Sequence, residues 1–147
     1  MQPTKPIDIL LVEDNVDHAE LTRRALETGN MLNDVHWVKD GAEALDFLFH
    51  RGAYANGAKA PRPGLILLDI KLPKVDGLNV LREIKSSPAL RTIPVIMLTT
   101  SAENGDVNAA YAAGANSFVT KPISFREFVE RIQAVKLYWV LTNVLGD

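Results

Sequence analysis

An α/β fold with a parallel sheet covered on both faces is what this sequence predicts, on three observations. Short, continuously apolar runs alternate with longer stretches whose apolar residues recur at helical spacing. The runs leave no polar face for water, which marks strands buried on both sides and joined by crossover helices. Polar and acidic residues stand just after several runs, at the strand ends where such sheets bind ligands.

Taken in order, Ile7 to Val12 is the first apolar strand. Asn15 to Thr28 follows as a helix with Leu21, Ala25 and Leu26 on one side and a stop at Gly29-Asn30. Asp34 to Val38 suits a second strand, and Asp40 is placed to cap a helix carrying Ala44, Leu45, Phe47 and Leu48. Arg51 to Pro63, rich in Gly, Ala and Pro, reads as a loop. Leu65 to Leu68 is the third strand and ends at Asp69. A turn with Pro73 and Asp76-Gly77 leads into a helix from about Leu78 to Ser86. Pro94 to Leu98 is the fourth strand, Glu103 to Ala113 an Ala-rich helix ending at Gly114, and Ser117 to Val119 a short fifth strand stopped at Lys121-Pro122. Ser124 and Glu127 have capping-box spacing and open a last helix with Phe125, Phe128, Val129, Ile132 and Val135 on one face.

Composition narrows the function. The length of 147 residues suits one domain, with a core expected over about 6–137 and an extension over 138–147. A net charge of −2 and the lack of a Lys/Arg-rich run give no reason to expect a nucleic-acid or membrane-surface partner. Zero cysteines exclude disulfides, Cys-ligated zinc and thiol catalysis. The first eight residues carry two prolines and no apolar run, unlike a signal peptide, and no stretch is apolar enough to span a bilayer. A cytoplasmic location is the expectation.

The chemistry is read from the strand ends. Glu13-Asp14 follow the first strand, Asp69 ends the third, Thr99, Thr100 and Ser101 end the fourth, and Lys121 ends the fifth. Crowded carboxylates repel one another and demand a cation. Hard oxygen donors with room for water favour Mg²⁺ over zinc. A carboxylate held against such a cation can attack phosphorus, while the cation and an ammonium neutralise charge on the phosphoryl oxygens. Asp69 is therefore the expected phosphoryl acceptor, Glu13 and Asp14 the metal acids, Lys121 the counter-charge and Thr99 the sensing hydroxyl.

Four segments carry a family resemblance: Ile9-Leu10-Leu11-Val12-Glu13-Asp14-Asn15, the run from Leu67 through Asp69 and Pro73 to Gly77, Pro94 to Thr99, and Phe118-Val119-Thr120-Lys121-Pro122. Each is weak alone. In this order and spacing they resemble bacterial response-regulator receiver domains over about residues 6–135. The resemblance implies a flavodoxin-like (βα)5 three-layer sandwich with strand order 2-1-3-4-5, phosphorylated by a histidine kinase. It implies Asp69 as the phosphorylation site and Mg²⁺, with Mn²⁺ able to substitute, on Glu13, Asp14, Asp69 and the Lys71 carbonyl. Thr99, Thr100 and Lys121 are implied as phosphoryl contacts, Phe118 as the aromatic coupled to the Thr99 switch, and Lys121-Pro122 as a cis-peptide candidate. Lys71 and Ser101, each two residues beyond a key position, are expected to tune the lifetime of the phosphorylated state.

A narrower resemblance is carried by Ala44 to Leu48, Tyr54-Ala55-Asn56, Pro61 to Asp69, Leu98 to Ser101 and Tyr138-Trp139. It is to the regulators of bacteriophytochrome and cyanobacterial phytochrome kinases. It implies a regulator without an output domain, and eight residues follow Trp139. It also implies a homodimer through the fourth helix, fifth strand and fifth helix. The apolar tail residues Val140, Leu141, Val144 and Leu145 extend the surface available for that contact.

Blander readings stand beside these. An Asp at a strand end is often only a helix cap. Asp17 and Asp76 read as cap or turn residues, Gly77 as a turn glycine, Trp37 as packing, and His18, His36 and His50 as surface or packing residues. Rival functions are a receiver-fold interaction module that has lost the chemistry, and an aspartyl-nucleophile phosphatase. The phosphatase is disfavoured because Asp69-Ile70-Lys71 lacks a second Asp. A dinucleotide-binding module is disfavoured because no Gly-x-Gly-x-x-Gly follows Val12. The expectation is a phospho-acceptor switch, not a turnover enzyme.

Overall fold

Alternate residues of each central strand point to opposite faces of the sheet, and here both faces are apolar. In the computed structural model, which describes residues 7–27, 33–57, 59–99, 104–115 and 117–120, the elements are β1 (Ile7–Val12), α1 (Val16–Glu27), β2 (Asn33–Val38), α2 (Gly41–Phe49), β3 (Leu65–Asp69), α3 (Gly77–Ser86), β4 (Val95–Thr99), α4 (Asn104–Ala112) and β5 (Ser117–Thr120). The five strands form one sheet in the order β2-β1-β3-β4-β5, with every pair parallel. Both the order and the direction match the resemblance. The helix expected from Ser124 onward lies outside the described residues.

Leu10, Val12, Ile66, Leu68, Val95 and Met97 pack into one half of the core with α2, with Val80, Leu81 and Ile84 of α3, and with Ala110 of α4. Ile9, Leu11, Leu65, Leu67, Ile96 and Leu98 form the other half, with Ala19 of α1. Burying each such large aliphatic side chain contributes about 1.5–3 kcal/mol. The split explains why the central runs are apolar at every position.

Local signals account for most boundaries. The Asp40 and Asp76 side chains accept the Glu43 N–H (2.7 Å) and the Asn79 N–H (3.0 Å), capping α2 and α3. At α1 the cap is Asn15, whose Oδ1 accepts from the His18 N–H at 3.0 Å, while Asp17 lies inside the first turn. On α1 one residue of the expected face, Leu21, points outward. Leu21 is 49% exposed, and among the described side chains of α1 Ala19 and Thr22 are buried; those of Ala25 and Leu26 lie outside the description. The expected loop from Arg51 to Pro63 contains one 3-10 turn, Gly52–Tyr54, held to α2 by the Tyr54 hydroxyl, which donates to Glu43 at 2.8 Å.

Two glycines are close-approach positions, not loose turns. A Cβ on Gly41 would lie 1.8 Å from the Val75 carbonyl oxygen. One on Gly77 would lie 2.1 Å from the Asp69 carbonyl oxygen. Gly77 has no positive φ, so the expectation of a turn glycine is corrected: the absent side chain lets α3 meet the end of β3.

Candidate metal and phosphoryl-acceptor site

Because β1 and β3 are neighbours in register, with Val12 opposite Leu68, the residues just beyond them share one end of the sheet. Glu13, Asp14 and Asp69 each offer a carboxylate oxygen there, all within 4.8 Å of one another. Glu13 is fully buried and Asp69 is 7% exposed, while Asp14 is exposed. The acids expected from the strand ends are therefore brought together, and together they form a half-sheltered cluster with one member facing water.

Backbone hydrogen bonds hold this cluster in place. The Glu13 N–H donates to the Val38 carbonyl at 3.1 Å, and the Asn15 N–H donates to Glu13 Oε2 at 3.3 Å. The Lys71 N–H donates to Asp69 Oδ1 at 3.2 Å, and the Ile70 N–H continues the sheet to the Leu98 carbonyl at 3.0 Å. His18 Nδ1 stands 3.9 Å from Glu13 Oε1. Beside the acids lies an open cavity of about 510 Å³ lined by Asp14, Ile70, Lys71, Leu72, Pro73, Asp76 and Leu78. Asp76 is thus both the α3 cap and part of the cavity wall.

The remaining expected residues divide. Lys71 is in the cavity wall with its side chain exposed. Thr99 is the last residue of β4, next to β3, as the sequence placed it; its side chain lies outside the description. Phe118 is partly buried against the core, opposite Met97 in the β4–β5 register. Thr100, Lys121, Pro122 and Ser101 lie outside the described residues. His36 and His50 are packing residues, the first 3.0 Å from Asp8 and the second 2.8 Å from the Ala60 carbonyl.

One residue was missed. The Trp37 indole N–H donates to the Glu13 carbonyl at 2.7 Å, so an expected packing residue also grips the acid pair. Alternation along β2 could have placed Trp37 beside β1, but no pattern in the chain signals a side chain reaching over a strand end.

The donor set fits a hard divalent cation. Among the described residues it consists of carboxylate oxygens, with no sulfur or imidazole in the group, and it faces an open cavity. Like charges at this spacing repel by on the order of 3 kcal/mol per pair at an effective dielectric near 20. A bound cation converts that repulsion into attraction.

Comparisons with known proteins agree. The family model described as response regulator receiver domain matches residues 9–133. The probable methanogenesis regulatory protein FilR2 of Methanothrix harundinacea is 43% identical over 144 residues, 97% of this chain and 90% of that protein. Among solved structures, the phosphorylated cyanobacterial phytochrome response regulator RcpA superposes with a TM-score of 0.83 at 39% identity, covering 94% of this chain and 96% of its own. The Mn²⁺-bound response regulator Rcp1 gives 0.81 at 40% identity, with 91% and 94% covered. The bacteriophytochrome response regulator AtBRR gives 0.75 at 48% identity, with 88% and 92% covered.

Proposed function

This chain belongs to the response regulator receiver domain family, and we propose that it works as a stoichiometric phosphoryl acceptor with Asp69 as the accepting residue. The observation that carries the reading is the convergence of Glu13, Asp14 and Asp69 within 4.8 Å. Those three carboxylates, with the Lys71 carbonyl, are the ligands proposed for Mg²⁺. When bound, that ion neutralises charge on the phosphoryl oxygens and draws the phosphate to the cluster.

The chain's own residues do the rest. Asp69 supplies the nucleophilic oxygen. A P–O bond to Asp69 forms as the P–N bond of a kinase phosphohistidine breaks, and the imidazole leaves with the electron pair. The Lys71 N–H, bonded to Asp69 Oδ1 at 3.2 Å, orients the carboxylate. Burial of Asp69 shields the product from bulk water, and the exposed Asp14 marks the side open to the donor. Thr99, Thr100 and Lys121 are the proposed contacts of the attached group. Phe118 is the proposed aromatic that moves with Thr99 in a two-state switch.

Family membership implies a histidine kinase as phosphodonor. Likeness to RcpA and AtBRR supports a phytochrome-type kinase as the specific partner, and we propose the cytoplasm as the location. We also propose a homodimer through α4, β5 and the segment that follows. Half-exposure of Tyr111 on α4 supports that surface. Light scattering on eluting protein tests it; a strict monomer with Mg²⁺ and a phosphoryl analogue present refutes it.

Incubation with a small phosphoryl donor and Mg²⁺ should add one phosphate by intact mass, and Asp69→Asn should abolish it. Stoichiometric labelling of that variant elsewhere overturns the assignment. No labelling of the wild type favours an interaction module, and steady hydrolysis of a phosphate ester favours a phosphatase.

A further inference from the structure

Resting on the metal reading above, we infer that Trp37 is a positioning residue for the divalent-cation site, acting through the Glu13–Asp14 peptide. β2 lies at the edge of the sheet, next to β1, with Trp37 opposite Leu11 and Val38 opposite Val12. Beyond Val12 the chain leaves the sheet, yet Glu13 stays fastened to β2 at both ends. Its N–H donates to the Val38 carbonyl at 3.1 Å, and its carbonyl accepts the Trp37 indole N–H at 2.7 Å. The second bond differs in kind. Strand pairing supplies the first, whereas the second comes from a side chain curling over the strand end.

That carbonyl belongs to the peptide plane that also contains the Asp14 nitrogen and precedes the Asp14 Cα. Fixing the plane fixes where the exposed Asp14 side chain starts. Asp14 has no burial to hold it, unlike Glu13 and Asp69. The indole is partly buried, packed against the half-core that contains Ile9 and Leu11, and is overlain by Lys39 Nζ, 5.6 Å from the ring centroid. A rigid donor on the core therefore sets the orientation of the ligand residue that faces solvent. Without it, cation binding must order this peptide, and the affinity falls.

Free Mn²⁺ measured by electron paramagnetic resonance during a protein titration reads the affinity without any phosphoryl transfer. Trp37→Phe keeps the aromatic packing and deletes the donor, and its Kd should rise about threefold to tenfold, the scale of one such hydrogen bond. Val35→Ala removes packing from the same half-core with no bond to Glu13, and its Kd should match the wild type. Equal Kd values for wild type and a folded Trp37→Phe overturn the inference, as does an equal rise in Val35→Ala. Should Trp37→Phe not fold, the wild-type indole N–H resonance decides. Assigned against Trp139→Phe, the Trp37 signal should shift during a Mg²⁺ titration with the midpoint of metal binding. A signal that does not move overturns the inference. If the wild type binds no Mn²⁺ at all, the metal reading itself fails.

Discussion

Replacing Gly77 by alanine sets two effects of opposite sign against each other. Alanine is the better helix former by up to about 1 kcal/mol, and Gly77 is the first residue of α3. Against that, the new Cβ would lie 2.1 Å from the Asp69 carbonyl oxygen, 2.8 Å from Ile70 Cα and 2.9 Å from the Asp69 carbonyl carbon. The tightest contact falls about 1.3 Å short of the 3.4 Å at which ordinary contact begins. All three atoms are backbone, so no flexible side chain can yield; either α3 or the end of β3 must move. Such overpacking costs about 1–3 kcal/mol. Movement also strains the Gly77 N–H bond to the Ile70 carbonyl, 2.8 Å long and worth about 0.5–1.5 kcal/mol. The net expectation is a loss of about 2 kcal/mol. Urea unfolding followed by circular dichroism should show a midpoint lower by about 1 M. Mn²⁺ binding should weaken as well, because the displaced backbone carries Asp69. An unchanged or raised midpoint would mean that helix propensity wins, and would refute the close-approach argument.

Asp40→Ala removes both the α2 cap and the partner of Lys74 Nζ at 3.5 Å, and should cost about 1 kcal/mol by chemical denaturation, nearly all of it from the cap. Burial, reinforced by the hydrogen bond and negative charge of Glu43, pushes the Tyr54 phenol up to about 12. A raised folded value favours the protonated form, so this stabilisation is intact below about pH 10 and disappears as pH rises through about 12. Phenolate absorbance should show a late-titrating component that Tyr54→Phe deletes; its persistence in that variant would reassign it. Millimolar Mg²⁺ should raise the melting temperature by the linkage of binding to folding, and Asp69→Asn should reduce that rise. An equal rise in the variant would place the ion elsewhere.

The strand ends were legible because a doubly covered sheet demands apolar runs, and the first polar residue after each run marks where the sheet stops. That logic located Glu13, Asp14 and Asp69 without coordinates. It also yielded the Asp40 and Asp76 caps, whose signals are local. Three-dimensional closeness was not legible. Gly77 resembles any Asp-Gly turn until α3 is seen against Asp69, and Trp37 resembles any core aromatic until its N–H is seen at Glu13. Leu21 misled because it is apolar and at helical spacing, yet α1 turns Ala19 and Thr22 inward.

The strand order also dictates how an acid cluster becomes a directional site. Going outward from β1, the ends carry Trp37 on β2 to one side and Asp69 on β3 to the other, followed by Thr99 on β4. Neighbouring strands are roughly 4.8 Å apart, so Thr99 starts roughly 10 Å from the acid pair, with Asp69 between them. A phosphoryl group on Asp69 would meet carboxylate-held charge from the β1 side and a hydroxyl-bearing strand end from the β4 side. The β1 side has little freedom to respond, because Glu13 is buried and its N–H and its carbonyl are both bonded to β2. On the phosphoryl-acceptor reading proposed above, movement would then be expressed on the β4 side, toward α4 and β5. That asymmetry, set by which strand lies next to which, is a physical reason to look for the signalling surface there.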